Sequence, residues 1–313
     1  MAPATTPQHL PTLRALGIGK TPLMEFSKLG KLSERVRVFG KCEWKNPGGS
    51  VKDRPAATIV LAGLENGRLR SGGELLDASS GNTGIAYAWL GAKLGFRVTL
   101  AVPASINGER RKVLEAYGAS LILTDPLESS DGAIREAKAR AAADPDRFFF
   151  ADQYNNPENW KAHYASTGPE LWEQSEGKLT HFVAGLGTTG TFRGTTTFLK
   201  EQDLRVRALS VQPDGPLHGL EGLKHLETAI VPGIHDPALA DEEIRVQTEE
   251  AQSLCRRTAK ELGVLLGPSG GAALLAALRL GERLSEAGAP ATIATVLPDS
   301  GERYLAERFW REA

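Results

Sequence analysis

The feature that most constrains this chain is an alternation of short apolar strand patterns with helical ones, punctuated by glycine-rich turns. Strands are expected at 74–78, 97–102, 120–123 and 148–151, separated by helices at 84–94, 108–117 and 131–143. A second series has strands at 181–184, 205–211 and 291–297 and helices at 191–201, 249–262 and 270–285, and a further strand is expected at 36–43. Such alternation requires parallel sheets covered by helices, with ligand-binding loops at the carboxyl ends of the strands. Residues 152–160 (DQYNNPENW) are polar, contain Pro157 and interrupt the rhythm, which puts a lobe boundary there. A length of 313 residues suits two lobes, 1–152 and 153–313, with some of residues 1–45 free to pack on the other lobe. The expected fold is therefore α/β, two lobes, each a mostly parallel sheet flanked by helices. Residues 212–243 form the only long irregular stretch, and a loop of that length in a compact domain is usually functional.

Residues 46–54 read NPGGSVKDR. Pro47, Gly48 and Gly49 favour a turn, Ser50 is a good N-cap, and a helix is expected over 51–65, so Lys52 falls in its first turn. The positive end of a helix dipole disfavours an ammonium there and depresses its pKa, which suits a lysine that forms a Schiff base. Taken alone, the same residues also describe a solvated lysine in a surface turn. Three further stretches decide against that. Residues 79–84 (SSGNTG) join a strand to a helix and offer amides and small hydroxyls to a carboxylate. Residues 185–191 (GLGTTGT) do the same one lobe later, with glycine amides and three threonine hydroxyls suited to a phosphate. Gly185, Gly187 and Gly190 meet a dinucleotide fingerprint only in part, and the Gly-Lys-Ser/Thr ending of a nucleotide P-loop is missing. Residues 267–272 (GPSGGA) open another helix and carry Ser269.

Charge narrows the partners. The 37 basic and 38 acidic residues leave a net charge of −1, with no electrostatic footprint for nucleic acid or an anionic membrane. No apolar run approaches the roughly 18 residues of a membrane span, and the first residues show no signal-peptide pattern, so a cytoplasmic location is expected. Cys42 and Cys255 fit a reducing compartment and are assigned to packing; the six histidines are scattered, and no metal site is expected.

In this order, residues 46–54, 79–84, 187–191, 268–272 and 297–304 (LPDSGERY) resemble the cysteine synthase family of pyridoxal-phosphate enzymes, of fold type II and tryptophan synthase β-like architecture, over about residues 20–305. The resemblance implies that pyridoxal 5′-phosphate is carried by Lys52 as a Schiff base, that Asn82 hydrogen-bonds its ring oxygen, that Gly187, Thr188, Thr189, Gly190 and Thr191 hold its phosphate, and that Ser269 faces its pyridine nitrogen. It also implies a substrate carboxylate cradle at Ser79, Ser80, Gly81 and Thr83, a substrate contact from Gln153, and a homodimer. A serine rather than an aspartate at the ring nitrogen favours loss of a β-substituent over transamination or racemisation. The implied reaction is β-replacement on an activated serine, O-acetylserine or O-phosphoserine, by sulfide or another sulfur nucleophile, giving L-cysteine. Serine/threonine dehydratases and cystathionine β-synthase share the motifs. A catalytically silent scaffold that binds a partner in its cleft is the reading from another class, and the presence of Lys52, Asn82, Thr191 and Ser269 argues against it.

Two stretches bear on the substrate. Residues 103–111 carry Ile106 and Asn107 where many members carry Met-Ser. Residues 217–225 (LHGLEGLKH), with 185–191, look most like the cysteine synthase B branch, which includes members that use O-phosphoserine and a small thiocarboxylated sulfur-carrier protein. In those members an arginine of this loop meets the substrate phosphate, and Lys224 falls at about that position; the same residue also reads as a solvated loop lysine.

Overall fold

A computed structural model describes residues 9–311; the Pro- and Thr-rich opening lies outside them through residue 8. The strands are β1 (Leu23–Glu25), β2 (Val36–Cys42), β3 (Glu74–Ala78), β4 (Arg97–Pro103), β5 (Ser120–Thr124), β6 (Phe148–Phe150), β7 (His181–Gly185), β8 (Arg207–Pro213), β9 (Glu242–Val246) and β10 (Ala291–Leu297). They form a four-stranded sheet in the order β5-β4-β3-β6 and a six-stranded sheet in the order β1-β2-β10-β7-β8-β9. Every pairing is parallel apart from the antiparallel β1–β2 pair. β1 and β2 thus leave the N-terminal half of the sequence and join the later strands, with β2 lying beside β10.

Both sheets are covered on both faces, which is why their central strands read as near-continuous apolar runs. In β7 the side chains alternate: Val183 faces a core shared with Leu274, Leu278 and Leu254, while Phe182 and Ala184 face one shared with Leu171, Phe192 and Leu199. In β3, Leu75 packs with Ile59, Ile85 and Leu90, while Leu76 and Ala78 pack with Ala133 and Ala137. In each sheet the strand order reverses beside one strand, β3 or β7, because the chain first builds outward on one side and then returns to the other. A crevice opens at the carboxyl end of such a strand. The stretches 79–84 and 185–191 follow directly from these two strands.

Two expectations are corrected, and one stretch for which none was stated is helical. The helix anticipated at 51–65 is Asp53–Glu65, with Lys52 at its N-cap position and no side-chain cap; the Ser50 hydroxyl instead accepts a hydrogen bond from Lys52 N at 3.2 Å. The irregular stretch is shorter than 212–243, because its end becomes β9. That strand, reading EEIRV, was hidden by its charges, which suit a sheet edge. Residues 158–174 are helical, as Glu158–Ala162, a π-helical turn His163–Thr167 and Gly168–Gln174. Pro169 lies just inside the last segment, next to the π-helical turn.

A buried ionic network joins the sheets. Arg54 is fully buried and grips two carboxylates, Glu43 through Nε (2.7 Å) and Nη2 (2.8 Å) and Glu170 through Nη1 and Nη2 (both 2.8 Å). Lys41 meets Glu170 at 2.8 Å and the Thr21 carbonyl at 2.9 Å. Burial opposes charge on Glu170, but Arg54 and then Lys41 outweigh it and draw its pKa down to about 2. Removing one partner leaves an uncompensated buried charge, which costs about 3–5 kcal/mol. Arg54→Ala is therefore expected to lower the urea midpoint by that equivalent, whereas loss of the surface Arg205–Asp203 pair leaves the midpoint in place.

Candidate functional site

The turn before Lys52 is built by its neighbours. Asn46 Nδ2 donates to Glu43 Oε2 (2.8 Å) and to the Glu43 and Ser50 carbonyls, and Asn46 Oδ1 accepts from Gly19 N (2.9 Å). Gly49 has φ +81° and lies against the Arg303 guanidinium, so a side chain there meets both strain and a clash. Val51 N donates to the Pro298 carbonyl at 2.8 Å and ties the turn to residues 298–304. Lys52 emerges half-buried, and neither a hydrogen bond nor an ion pair engages its Nζ among the described residues. Its pKa lies below the ordinary lysine range. The chief cause is burial, with Asp299 and then Glu43 pulling the other way.

The second stretch forms a closed turn. Ser79 Oγ accepts from Gly81 N (3.3 Å) and Gly84 N (3.1 Å), and Asn82 opens the helix Asn82–Leu94. The buried Asp77 carboxylate accepts from Ala78 N (2.8 Å) and Gln153 N (3.2 Å), and burial raises its pKa to about 7. Gln153 is itself engaged at both ends: its Oε1 accepts from Thr83 Oγ1 (2.7 Å) and its Nε2 donates to the Ala78 carbonyl (2.9 Å). It braces the turn. Asn82 is held as firmly, donating from Nδ2 to Asp299 Oδ2 (2.7 Å) and accepting from Arg303, while Tyr304 OH donates to the same Asp299 oxygen at 2.6 Å. The roles of Asp299 and Arg303 went unassigned from the sequence, since Asp299 lies 217 positions from Asn82.

In the third stretch the helix Gly190–Gln202 starts behind Thr189, which has φ +68° and a buried hydroxyl without a partner. A Cβ at Gly187 would strike the Gly222 carbonyl and one at Gly190 the Asn159 amide, so packing demands both glycines. Thr191 Oγ1 lies 3.2 Å from His163 Nε2, whose other ring nitrogen lies 2.9 Å from Thr167 Oγ1. Ser269 is buried in the first turn of the helix Pro268–Glu286, and the α-carbon of Gly222 faces its hydroxyl.

These parts converge on one cleft of about 730 Å³. Lys52, Ser79, Ser80, Gly81, Asn82, Thr83, Gln153, Gly187, Thr188 and Lys224 line it; Thr189, Gly190, Thr191 and Ser269 are not part of the lining. Lys224 points inward, with Nζ 3.5 Å from Asp131 Oδ1 and 5.0 Å from the Tyr154 ring centre, so it is not a solvated loop lysine. No group of three His, Cys, Asp or Glu among the described residues suits a metal. No helix among them is long and apolar enough to cross a membrane.

His163 offers a test by pH. Burial, and then Arg54, lower its pKa from 6.5 to about 3. As pH falls below 6.5 the unfolded chain takes up a proton that the folded one refuses, so stability is lost on acidification, at a slope approaching about 1.4 kcal/mol per pH unit. A His163→Gln variant lacks this slope. Its stability relative to the unsubstituted protein is expected to rise by that amount per unit between about pH 6 and pH 4, in urea melts at each pH.

A family model described as pyridoxal-phosphate dependent enzyme matches residues 14–299. The chain is 48% identical over 290 residues to a cysteine synthase of Aquifex aeolicus, covering 92% of this chain and 89% of that protein. It is 37% identical over 288 residues to cysteine synthase B of Escherichia coli, covering 92% of each. The crystal structure of a cysteine synthase from Entamoeba histolytica superposes with a TM-score of 0.87 at 34% identity, over 94% of this chain and 89% of that one. Two sheets that meet at a lysine-bearing cleft, a match across most of the length and this agreement in three dimensions give one conclusion: the chain belongs to the family of pyridoxal-phosphate dependent enzymes.

Proposed function

We propose that this protein makes L-cysteine by β-replacement on an activated serine, with pyridoxal 5′-phosphate bound at Lys52 and a sulfur nucleophile as second substrate. The observation that carries the reading is the unpaired Lys52 amine, lowered in pKa, in the same cleft as the 79–83 turn. The residues fit the cofactor. Gly187 and Thr188 on the cleft wall, with the buried Thr189 hydroxyl that has no partner among the described residues and the first-turn amides of the adjoining helix at Gly190 and Thr191, would suit its phosphate; Asn82 on the wall and the buried Ser269 beyond it would suit its ring. When bound, the cofactor supplies an electron-withdrawing ring that acidifies the α-proton of an attached amino acid. The chain does the rest. Ser79, Ser80, Gly81 and Thr83 hold the substrate carboxylate, with Gln153 bracing Thr83. Lys52, once its amine is released by the incoming substrate amine, would take the α-proton, and a neutral hydroxyl at Ser269 places no fixed charge beside the ring.

Sulfide as donor, a homodimer and a cytoplasmic location are what the resemblance to the cysteine synthase family implies for this chain. A thiocarboxylated sulfur-carrier protein is the alternative donor, for which the resemblance of residues 217–225 to the B branch is the support. We read the lobes as meeting near residues 152–160, with residues 23–42 supplied to the sheet of the C-terminal lobe.

The purified protein is expected to absorb in the visible once loaded with cofactor and to release cysteine from O-acetylserine and sulfide. Lys52→Ala is expected to abolish covalent cofactor attachment and to lower kcat by about 10³-fold or more, with unchanged circular dichroism. Normal turnover in that variant would overturn the assignment. Because Lys224 lines the cleft, O-phosphoserine is expected to be accepted as well. Lys224→Ala should penalise that ester relative to O-acetylserine by about 1–3 kcal/mol in kcat/KM, the worth of a lost charged hydrogen bond.

A further inference from the structure

The loop that carries Lys224 is joined to the wall of the smaller sheet by two ion pairs of opposite polarity. In the outer pair, Arg110 of the helix Gly108–Ala116 grips both oxygens of Glu221 in the loop. In the inner pair the signs are exchanged: the loop supplies the cation, Lys224, and the helix Ser129–Ala143 supplies the anion, Asp131. The two pairs differ in tightness. Arg110 makes a bidentate contact, whereas Lys224 and Asp131 stand 3.5 Å apart, beyond the 2.7–2.9 Å of a close charge-assisted bond. Asp131 is also the more open partner of the inner pair, 30% exposed against 11% for Lys224.

Lys224 does not depend on Asp131 for its place. Its backbone N–H donates to the Leu186 carbonyl at 2.8 Å, directly beside Gly187, and the neighbouring Leu226 N–H donates to Gln212 Oε1 at 2.9 Å. Leu220 and Leu223 bury their side chains in the core of the larger sheet. The backbone of Lys224 is thus fixed by the loop, while its ammonium lodges over the Tyr154 ring and is lightly neutralised by the Asp131 carboxylate, 3.5 Å away.

We infer that Asp131 is a specificity-determining residue: its carboxylate is a resident counter-ion of Lys224 that competes with a phosphate or similar anionic leaving group on the substrate. The inference rests on the proposed β-replacement reading and deepens it. Lys224 alone would select a charged ester; Asp131 moderates that selection and lets a neutral ester compete. A phosphate dianion that reaches Lys224 must displace or repel Asp131, whereas an acetyl group meets neither obligation.

The test uses the cofactor-loaded enzyme and the variants Asp131→Asn, Lys224→Ala and the double variant, with Asp131→Ser as a second, non-isosteric removal of the charge. Asp131→Asn and Asp131→Ser are expected to raise the ratio of kcat/KM for O-phosphoserine to that for O-acetylserine by about tenfold, and the rise should vanish when Lys224 is Ala. Inorganic phosphate, followed by calorimetry without turnover, should bind about tenfold tighter to Asp131→Asn, again only with Lys224 present. An unmoved ratio together with unmoved phosphate affinity overturns the inference, as does a change of equal size in the Lys224→Ala background. Failure of the unsubstituted enzyme to form cysteine from either ester would sink the reading of function, whereas the phosphate response would still decide the role of Asp131.

Discussion

Four charges that sum to zero, three of them buried and Glu170 partly so, hold the turn before Lys52 in place. Lys41 and Glu43 come from the end of β2 and the residues just after it, Arg54 from the helix that packs on the smaller sheet, and Glu170 from a helix against the larger one. The turn of residues 46–52 is strung between Glu43 and Arg54, so both of its ends are fixed by the same guanidinium. Replacing such a network with apolar side chains can be neutral in stability, so its worth here is better sought in direction. A guanidinium offers donors in a fixed plane, and Arg54 uses that plane to make a bidentate contact with each of two carboxylates, a fork geometry that an ammonium lacks. Asn46 then transmits the placement of Glu43 to the turn, through its amide to the Ser50 carbonyl.

The rest of the site follows from topology. Each sheet reverses its strand order beside one strand, and the loop after that strand begins a helix with free amides. Two such openings, one from each sheet, face a common cleft and present backbone amides at a helix start, which is the geometry that suits an anion. What separates them chemically is side-chain support. The 79–84 turn is stiffened by Asp77, Gln153 and Asp299. The 187–191 loop is stiffened by glycine contacts and by His163, held neutral by burial so that it brings no charge beside the loop.

How much of this was legible in the sequence depends on the range of the interactions. Lys52 and the three glycine turns were legible because a backbone cradle needs Gly, Ser and Thr at fixed offsets from a strand, which is local information. The boundaries of β3 and β10 were legible for the same reason. The brace from Asp299 to Asn82 spans 217 positions and the contact from Asp131 to Lys224 spans 93, and nothing in either neighbourhood marks a partner. β9 was missed because an edge strand with alternating charges resembles a loop in composition.

The lowered Lys52 pKa has a cause that the local sequence does not display. A first-turn lysine would feel the helix end, yet Lys52 stands at the cap position and its titration is governed by burial in the cleft, against the pull of Asp299 and Glu43. The two causes behave differently. A dipole effect is built into the helix and persists whether the cleft is open or shut, but a burial effect depends on how much water reaches the amine. Asp299 cannot easily restore the charge, because burial raises its own pKa and its oxygen is already taken by Asn82 and Tyr304. Burial in the cleft and the prior engagement of Asp299 thus act together to hold the Lys52 pKa below the ordinary lysine range.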